Sequence, residues 1–362
     1  MEITMYDFPA IAEKFYPEGK FHSCEPYGSG HIHETFLLIK SSGEHIQKFI
    51  LQRFNSSVFR EPEKVMNNIR KITTHLKHFS GRNSDTLYLS MVPAISNEYW
   101  YQDEQKNYWR CFDFIEGSYT INRIEKNSQA FEAAKIFGNF LMSLSDINSN
   151  DLDITIPDFH NIVKRLEVLN EAIQSGNEKR KSATVQEISQ ITQYNDLVEE
   201  YLFILPDIPV RVTHNDTKIN NVLFSSSTGK GLCVIDLDTV MPGTVLSDFG
   251  DMVRTFTNSA DEDEMDLRKV FFSPEIFKEM TVGFIEGVSG ILKPIEKNNL
   301  ILGGKLIIYM QAVRFLTDYL FGDTYYKIEY PEHNLVRTRN QLKLLESFVE
   351  HEKEAKHFLL RL

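Results

Sequence analysis

Along the first 115 residues, short apolar runs alternate with polar turns. Residues 8–17 carry the spacing of a short helix, which Pro17 and Gly19 end. In "EPYGSGHIHETFLLIKSSGEHIQKFILQRFN" the runs Thr35–Ile39 and Phe49–Leu51 flank "SSGEH", which is hairpin chemistry, so this stretch predicts three strands joined by two turns. Val65, Ile69, Ile72 and Leu76 fall at helical intervals behind Pro62, predicting a helix over 62–78. "TLYLSMVPAI", "EYWYQ" and "NYWRCFDFI" predict three further strands, the last two joined by the turn "DEQKN".

From Gly117 the apolar period becomes helical, with helices predicted over 128–145, 159–174, 184–204, 264–288, 300–322 and 333–358. Two short β segments, 221–224 and 231–237, interrupt them, and the polar stretch 174–187 predicts a surface loop. No internal repeat and no long linker is visible. The pattern predicts an α+β protein of two lobes: a small antiparallel β-rich lobe over 1–116 and a larger, mainly helical lobe over 117–362.

Composition narrows the function classes. The chain has 362 residues, 42% of them hydrophobic, enough for one large or two moderate cores. A formal charge of −12 excludes a nucleic-acid surface, which needs basic stripes, and mildly favours a cationic or neutral substrate over an anionic one. Cys24, Cys111 and Cys233 lie far apart without metal-ligand spacing, as expected of free thiols in a reducing compartment. The start lacks the pattern of a secretory signal, and no stretch approaches the roughly 20 apolar residues of a membrane helix. The expectation is a cytoplasmic protein that binds no membrane.

The chemistry concentrates in "RVTHNDTKINNVLF", residues 211–224. A short loop that delivers an aspartate, then an asparagine five residues later at the start of a strand, suits phosphoryl transfer. Asp216 would accept the hydrogen bond of an attacking hydroxyl, and Asn221 would offer a neutral oxygen to Mg²⁺. That chemistry needs a second carboxylate. "GLCVIDLDTVMPG" supplies Asp236 at the end of an apolar strand, and a hairpin through "SSSTGKG" would bring it to Asn221. A carboxylate at the end of a buried strand is costly unless a cation or donors meet it. Each segment alone is an ordinary turn; together, in this order, they make a site.

His214, Asp216 and Asn221 in H-x-D-x-x-x-x-N, followed by Asp236 in I-D-x-D, resemble the catalytic core of the aminoglycoside phosphotransferase and choline kinase family, relatives of protein kinases. The resemblance implies a protein-kinase-like fold, ATP and Mg²⁺ as cofactors, Asp216 as the catalytic residue, and Asn221 and Asp236 as metal ligands. His214 would support the loop. Asn215 stands where the family usually has Gly, and Asn tolerates left-handed backbone. The triplet Asp248-Phe249-Gly250 mimics a kinase metal motif but opens a predicted helix, so Asp248 reads as its N-cap, with Asp251 in the first turn. A later aspartate steadies the catalytic loop in this family, and Asp251 is the candidate here, with Asp248 the other possibility.

For the nucleotide, Gly28 and Gly30 lie in a turn where amides would approach phosphates, although an ordinary turn explains two glycines as well. Arg53 ends a strand where a kinase places its phosphate-binding cation, with Glu63 as its candidate partner. Phe114, Ile115 and Glu116 in "FDFIEG" would form the hinge facing adenine. For the acceptor, "GSGHIHETF", "ILQRFNSSVF", "HNDTKINNVLF", "VIDLDTVMPG", "SDFGDMVR" and "VRFLTDYLFGDTYY" resemble those members of the family that phosphorylate the anomeric hydroxyl of N-acetylated hexosamines. That implies a small neutral sugar held by His31, Asp216, Arg314 and Tyr325. The plain alternative for Arg314 is a surface pair with Asp318 at i+4, worth about 0.3–0.5 kcal/mol. Homoserine, choline or ethanolamine, and aminoglycoside kinases are the neighbouring alternatives, and a non-catalytic nucleotide binder the distant one.

Overall fold

The computed structural model describes residues 6–15, 19–28, 32–78 and 86–362. Gly30 and His31, and Pro17 at the expected end of the first helix, lie outside the described residues. Helix α1 (Phe8–Glu13) is followed by strands β1 (Lys20–Pro26), β2 (Glu34–Ser42) and β3 (His45–Phe54), helix α2 (Pro62–Lys77), and strands β4 (Met91–Val92), β5 (Tyr101–Gln102) and β6 (Tyr108–Asp113). The sheet runs β1-β2-β3-β6-β4, with β5 also on β6, and every pairing is antiparallel. Side chains alternate across it as the pleat requires. Phe36, Leu38, Phe49, Leu51, Trp109 and Cys111 meet Ile11, Ala12 and Phe15 on one face. Ile50, Phe54 and Phe112 face α2 and the larger core.

Strand β7 (Ser118–Tyr119) leads into the helical part: α3 (Asn127–Ser143), α4 (Ile162–Ser175), α5 (Glu178–Ala183), α6 (Val185–Thr192) and α7 (Asn195–Ile204). Strands β8 (Arg211–Thr213), β9 (Val222–Ser225), β10 (Gly231–Val234) and β11 (Met241–Gly243) come next, then α8 (Val245–Phe256), α9 (Pro274–Val288), α10 (Pro294–Asn298), α11 (Leu300–Phe321), α12 (His333–Glu350) and α13 (Glu352–Leu359). An antiparallel sheet in the N-terminal region and a helical C-terminal part are therefore the architecture. Cys111 and Cys233 are buried and Cys24 half-buried, all free.

The sequence pattern missed several boundaries. The polar stretch 174–187 is largely helical, because Asn177 caps α5 by accepting from the Lys179 and Arg180 amides, and Arg180 pairs with Asp323 at 2.5 Å. The 184–204 run breaks between α6 and α7, the 333–358 run breaks at His351, and the 264–288 run becomes helical only at Pro274, where the Ser273 hydroxyl accepts from Ile276. Of "TLYLSMVPAI" only Met91–Val92 pairs as strand. Helix α11 is long and apolar enough to cross a membrane, contrary to expectation, but most of it lies buried against its neighbours as the central core helix.

Candidate active site

Three short antiparallel pairings assemble the site. β8 pairs with β11, setting Thr213 opposite Met241; β9 pairs with β10 and with β7. The Ile235 amide donates to the Asn221 carbonyl at 2.9 Å, so the hairpin brings Asn221 and Asp236 together across one turn of ladder. Asp236 then takes left-handed backbone (φ 61, ψ 61), which turns the chain out of the strand.

The loop after β8 is braced from within. His214 is fully buried; its Nδ1 accepts from the Asp216 amide and its Nε2 donates to the Ile235 carbonyl at 3.0 Å. Burial, with Phe137 and Phe140 edge-on, lowers its pKa, so the ring ties the loop to β10 as neutral imidazole. Asn215 has φ 65, the left-handed geometry that its place in the motif requires. Its amide and that of His214 donate to the two oxygens of Asp248 at 2.7 and 3.0 Å.

Asp248 is thus not an N-cap: α8 begins at Val245 behind Thr244, and Asp248 lies inside it as the brace of the loop. Burial pushes its carboxyl up to about 7, although both amides favour the charged form. Asp251, the residue expected to support the loop, instead pairs with Arg254 at 2.9 Å one turn further on.

Asp216 meets Lys218 Nζ at 2.9 Å and accepts from Asn221 Nδ2 at 3.1 Å. Burial alone would raise its pKa, but the Lys218 charge outweighs that and holds the carboxylate ionised. Asn221 spends its amide N–H₂ on the Asp216 carbonyl and carboxylate, which leaves its Oδ1 to serve another group. Asp236 is pushed up to about 8 by burial, then by the charges of Asp238 and Asp216. Two carboxylates and an amide oxygen with too little positive charge among them suit a hard divalent cation that keeps water and phosphate as its other ligands. Among the described residues no three His, Cys, Asp or Glu gather for a metal, so a cation here would draw on the Asn221 amide oxygen beside the Asp236 carboxylate.

Arg53 is not available to phosphate. It shares a sheet face with Phe49 and Leu51, and its guanidinium meets Glu34 on β2 at 2.6 and 3.1 Å and Asn107 at 3.0 Å. Glu34, not Glu63, is its partner, and Glu63 is exposed at the start of α2. The position is one residue out of phase: Gln52 points to the larger lobe where Arg53 was expected to. Gln52 accepts from Arg110 Nε at 2.9 Å. Arg110, on β6, makes a two-pronged contact with Asp238 at 2.5 and 2.7 Å, both side chains buried. His33 adds Nε2 at 3.2 Å from Asp238, its Nδ1 accepting from the Asn55 amide.

Lys218 and the Arg110–Asp238–His33 group are the residues around the site that sequence reasoning missed, and of the two aspartates it offered as loop supports Asp248 is the one that braces the loop. A lone arginine inside the apolar strand "YWRCFDF" was the signal for Arg110, and Asp238 stood in I-D-x-D.

At the hinge, Phe114 packs on Tyr27 with ring centroids 5.9 Å apart, and Lys48 lies over its ring and 2.9 Å from Glu116. The Ile115 carbonyl is taken by Ser118, and Gly117 follows at φ 67. Gly28 adopts φ 77, and a Cβ there would touch nothing, so backbone conformation alone calls for glycine.

Arg314 does not pair with Asp318. The Asp318 carboxylate accepts from the amides of Thr324, Tyr325 and Tyr326 at 2.8–2.9 Å, ordering the loop after α11. Arg314 lies over the rings of Phe159, Tyr326 and Tyr325 at 5.1, 5.6 and 6.0 Å. His160, beside Phe159, places Nε2 at 3.1 Å from the Asn215 carbonyl, which links this cluster to the catalytic loop. A groove of about 360 Å³ lined by His160, Asn215 and Gly243 adjoins the loop.

An antiparallel sheet followed by a helical part that carries an H-x-D-x-x-x-x-N loop and a carboxylate hairpin is the arrangement of a protein-kinase-like phosphotransferase. The sequence profile of the phosphotransferase enzyme family matches residues 23–273, more than half of the chain, and the protein belongs to that family. Solved structures share the fold at low identity. An aminoglycoside phosphotransferase from Alicyclobacillus acidocaldarius is similar with a TM-score of 0.64 and 11% identity, over 98% of this chain and 96% of that one. The GDP complex of aminoglycoside 2'-phosphotransferase-IIIa gives a TM-score of 0.58 and 11% identity, over 92% and 96%. An ethanolamine kinase from Plasmodium vivax gives 0.53 and 14%, over 88% and 81%.

Proposed function

We propose that the protein is an ATP-dependent N-acetylhexosamine 1-kinase, in which residues 1–116 clamp the nucleotide and 117–362 carry catalysis and the acceptor. The observation that carries the acceptor class is the floor made by Arg314 over Phe159, Tyr325 and Tyr326. It offers planar donors and flat apolar surface, as a sugar ring and an N-acetyl group need, and the ring faces that an aromatic cage would present to a choline ammonium are covered by the Arg314 guanidinium. His31 is assigned to the acceptor on resemblance.

In the reaction the anomeric oxygen forms a bond to the γ-phosphorus while the bond from that phosphorus to the β–γ bridging oxygen breaks, and ADP leaves with the electron pair. Asp216, held ionised by Lys218, accepts the hydroxyl's hydrogen bond and then its proton. The transition state is loose, so orientation matters more than base strength. Asn221 and Asp236 would hold Mg²⁺, which supplies charge compensation for the phosphates. Gly28 and the hinge at Phe114–Glu116 are assigned to the nucleotide, as is Gly30 on resemblance. Lys218 supplies a cation beside the transferred group, a role that Arg53 cannot take while paired with Glu34.

Release of ADP is measured with N-acetylglucosamine, N-acetylgalactosamine, free hexoses, homoserine, choline, ethanolamine and kanamycin. Turnover confined to the N-acetylated sugars, with kcat lowered about a thousandfold by Asp216→Asn at unchanged folding, is the expected result. Turnover on homoserine, an amine or an aminoglycoside instead would reassign the acceptor while leaving the catalytic loop in place.

A further inference from the structure

Two arginines converge on Phe159. Arg314 covers its ring at 5.1 Å, and Arg165, on α4, donates from Nη2 to its carbonyl at 3.1 Å. Neither has a carboxylate within ion-pair distance among the described residues. Arg314 donates to the neutral Gln311 at 3.1 Å, and Arg165 Nε is buried without a partner.

Four other arginines at low exposure are matched to carboxylates, while Arg337, also partly buried, donates among the described residues only to the Lys327 carbonyl and to Asn334. Arg110 meets Asp238, Arg211 meets Glu296, Arg254 meets Asp251 and Glu262, and Arg180 meets Asp323. In a chain with 51 acidic and 39 basic residues, two guanidinium groups on one phenylalanine with no carboxylate at ion-pair distance among the described residues are a local reversal of the global balance. Burial, and after it the neighbouring Arg314 charge, lowers the Arg165 pKa, and Tyr326, Tyr325 and Asp158 offset only part of that. A neutral acceptor leaves that repulsion in place, whereas an anion bridging both forks relieves it through charge-assisted hydrogen bonds. The cluster adjoins the catalytic loop through His160 and the Asn215 carbonyl, so a ligand on it lies beside the acceptor.

We infer that Arg165 and Arg314 form an anion subsite of the acceptor pocket, and that the preferred acceptor is an N-acetylhexosamine carrying an acidic substituent away from C1. The inference rests on the sugar 1-kinase proposal and sharpens it: Arg165 selects charge on a part of the sugar that takes no part in the transfer.

The test compares N-acetylglucosamine, N-acetylglucosaminuronic acid and 3-O-carboxymethyl-N-acetylglucosamine, the two acids each beside its methyl ester, which keeps the size and removes the charge. In the wild-type protein at least one acid is expected to show kcat/KM tenfold or more above its ester, expressed in KM. Arg165→Gln should shrink that ratio below threefold, and Arg165→Lys should restore part of it. Equal use of acids and esters, or preference for the uncharged sugar, overturns the subsite and leaves the sugar kinase standing. Loss of kcat on every acceptor in Arg165→Gln, with KM unchanged, overturns it too, because the arginine then serves the phosphoryl group. Turnover on none of the sugars but on another acceptor removes the sugar proposal and the inference together. The acid–ester comparison needs no variant, so it decides the matter even where Arg165→Gln does not fold.

Discussion

His160 stays uncharged through neutral pH because burial, then the Arg314 charge, lowers its pKa to about 4 from the usual 6.5. In the unfolded chain it takes a proton below about 6.5, so between pH 6.5 and 4 the unfolded state binds more protons and stability falls as pH falls. The contribution is fully present above pH 6.5 and amounts to at most about 3 kcal/mol. His160→Gln should flatten that part of the acid limb, which urea midpoints at half-unit pH steps would show; an unchanged limb would place the acid sensitivity on other groups.

At this scale the sequence was most legible where one residue type does one job. Asp216, Asn221 and Asp236 follow from motif spacing, and the hairpin joins the last two. Arg53 was misplaced by a single residue, and in a strand that reverses the face. Its charge went to Glu34, and Gln52 took the inward position.

Helices α3 and α9 pack through glycines. A Cβ on Gly283 would lie 2.2 Å from the Phe131 carbonyl, and one on Gly138 2.8 Å from that of Phe284. Gly283→Ala should therefore destabilise the protein by about 3 kcal/mol through forced separation of the helices, read from the denaturant midpoint. Helix α8 matters differently, because it carries the brace of the catalytic loop. Asp248→Ala strands two buried amides and should cost about 2 kcal/mol while lowering kcat more than it changes KM for ATP. Equal kinetics in the variant would show that the loop holds its shape without α8. Helical period located most of these elements, but their ends were set by caps and tertiary partners such as Asn177 and the Arg180–Asp323 pair.

Across the whole molecule, the Arg110–Asp238 contact, with His33 beside it, ties the sheet to the catalytic segment, 128 residues apart and closed to water. Arg110→Met leaves Asp238 buried with only His33 beside it, and should cost about 3–5 kcal/mol. Adding Asp238→Leu should recover most of it, since the burial penalty goes with the charge. Hydrogen exchange of β3 and β6 should rise in the single variant and return in the double. A single variant as stable as wild type would mean that water reaches the pair.

Apolar period and turn residues by themselves determined that a β-rich N-terminal part precedes a helical one, and motif spacing singled out the loop at Asp216 as the candidate site. Both are local properties, written in residues a few positions apart. Only the tertiary structure decided which charges meet, because partners such as Arg110 and Asp238, or Arg165 and Arg314, come from distant segments and are matched by burial. Low dielectric makes each such match, or its absence, strong enough to define a site, and no spacing along the chain records it.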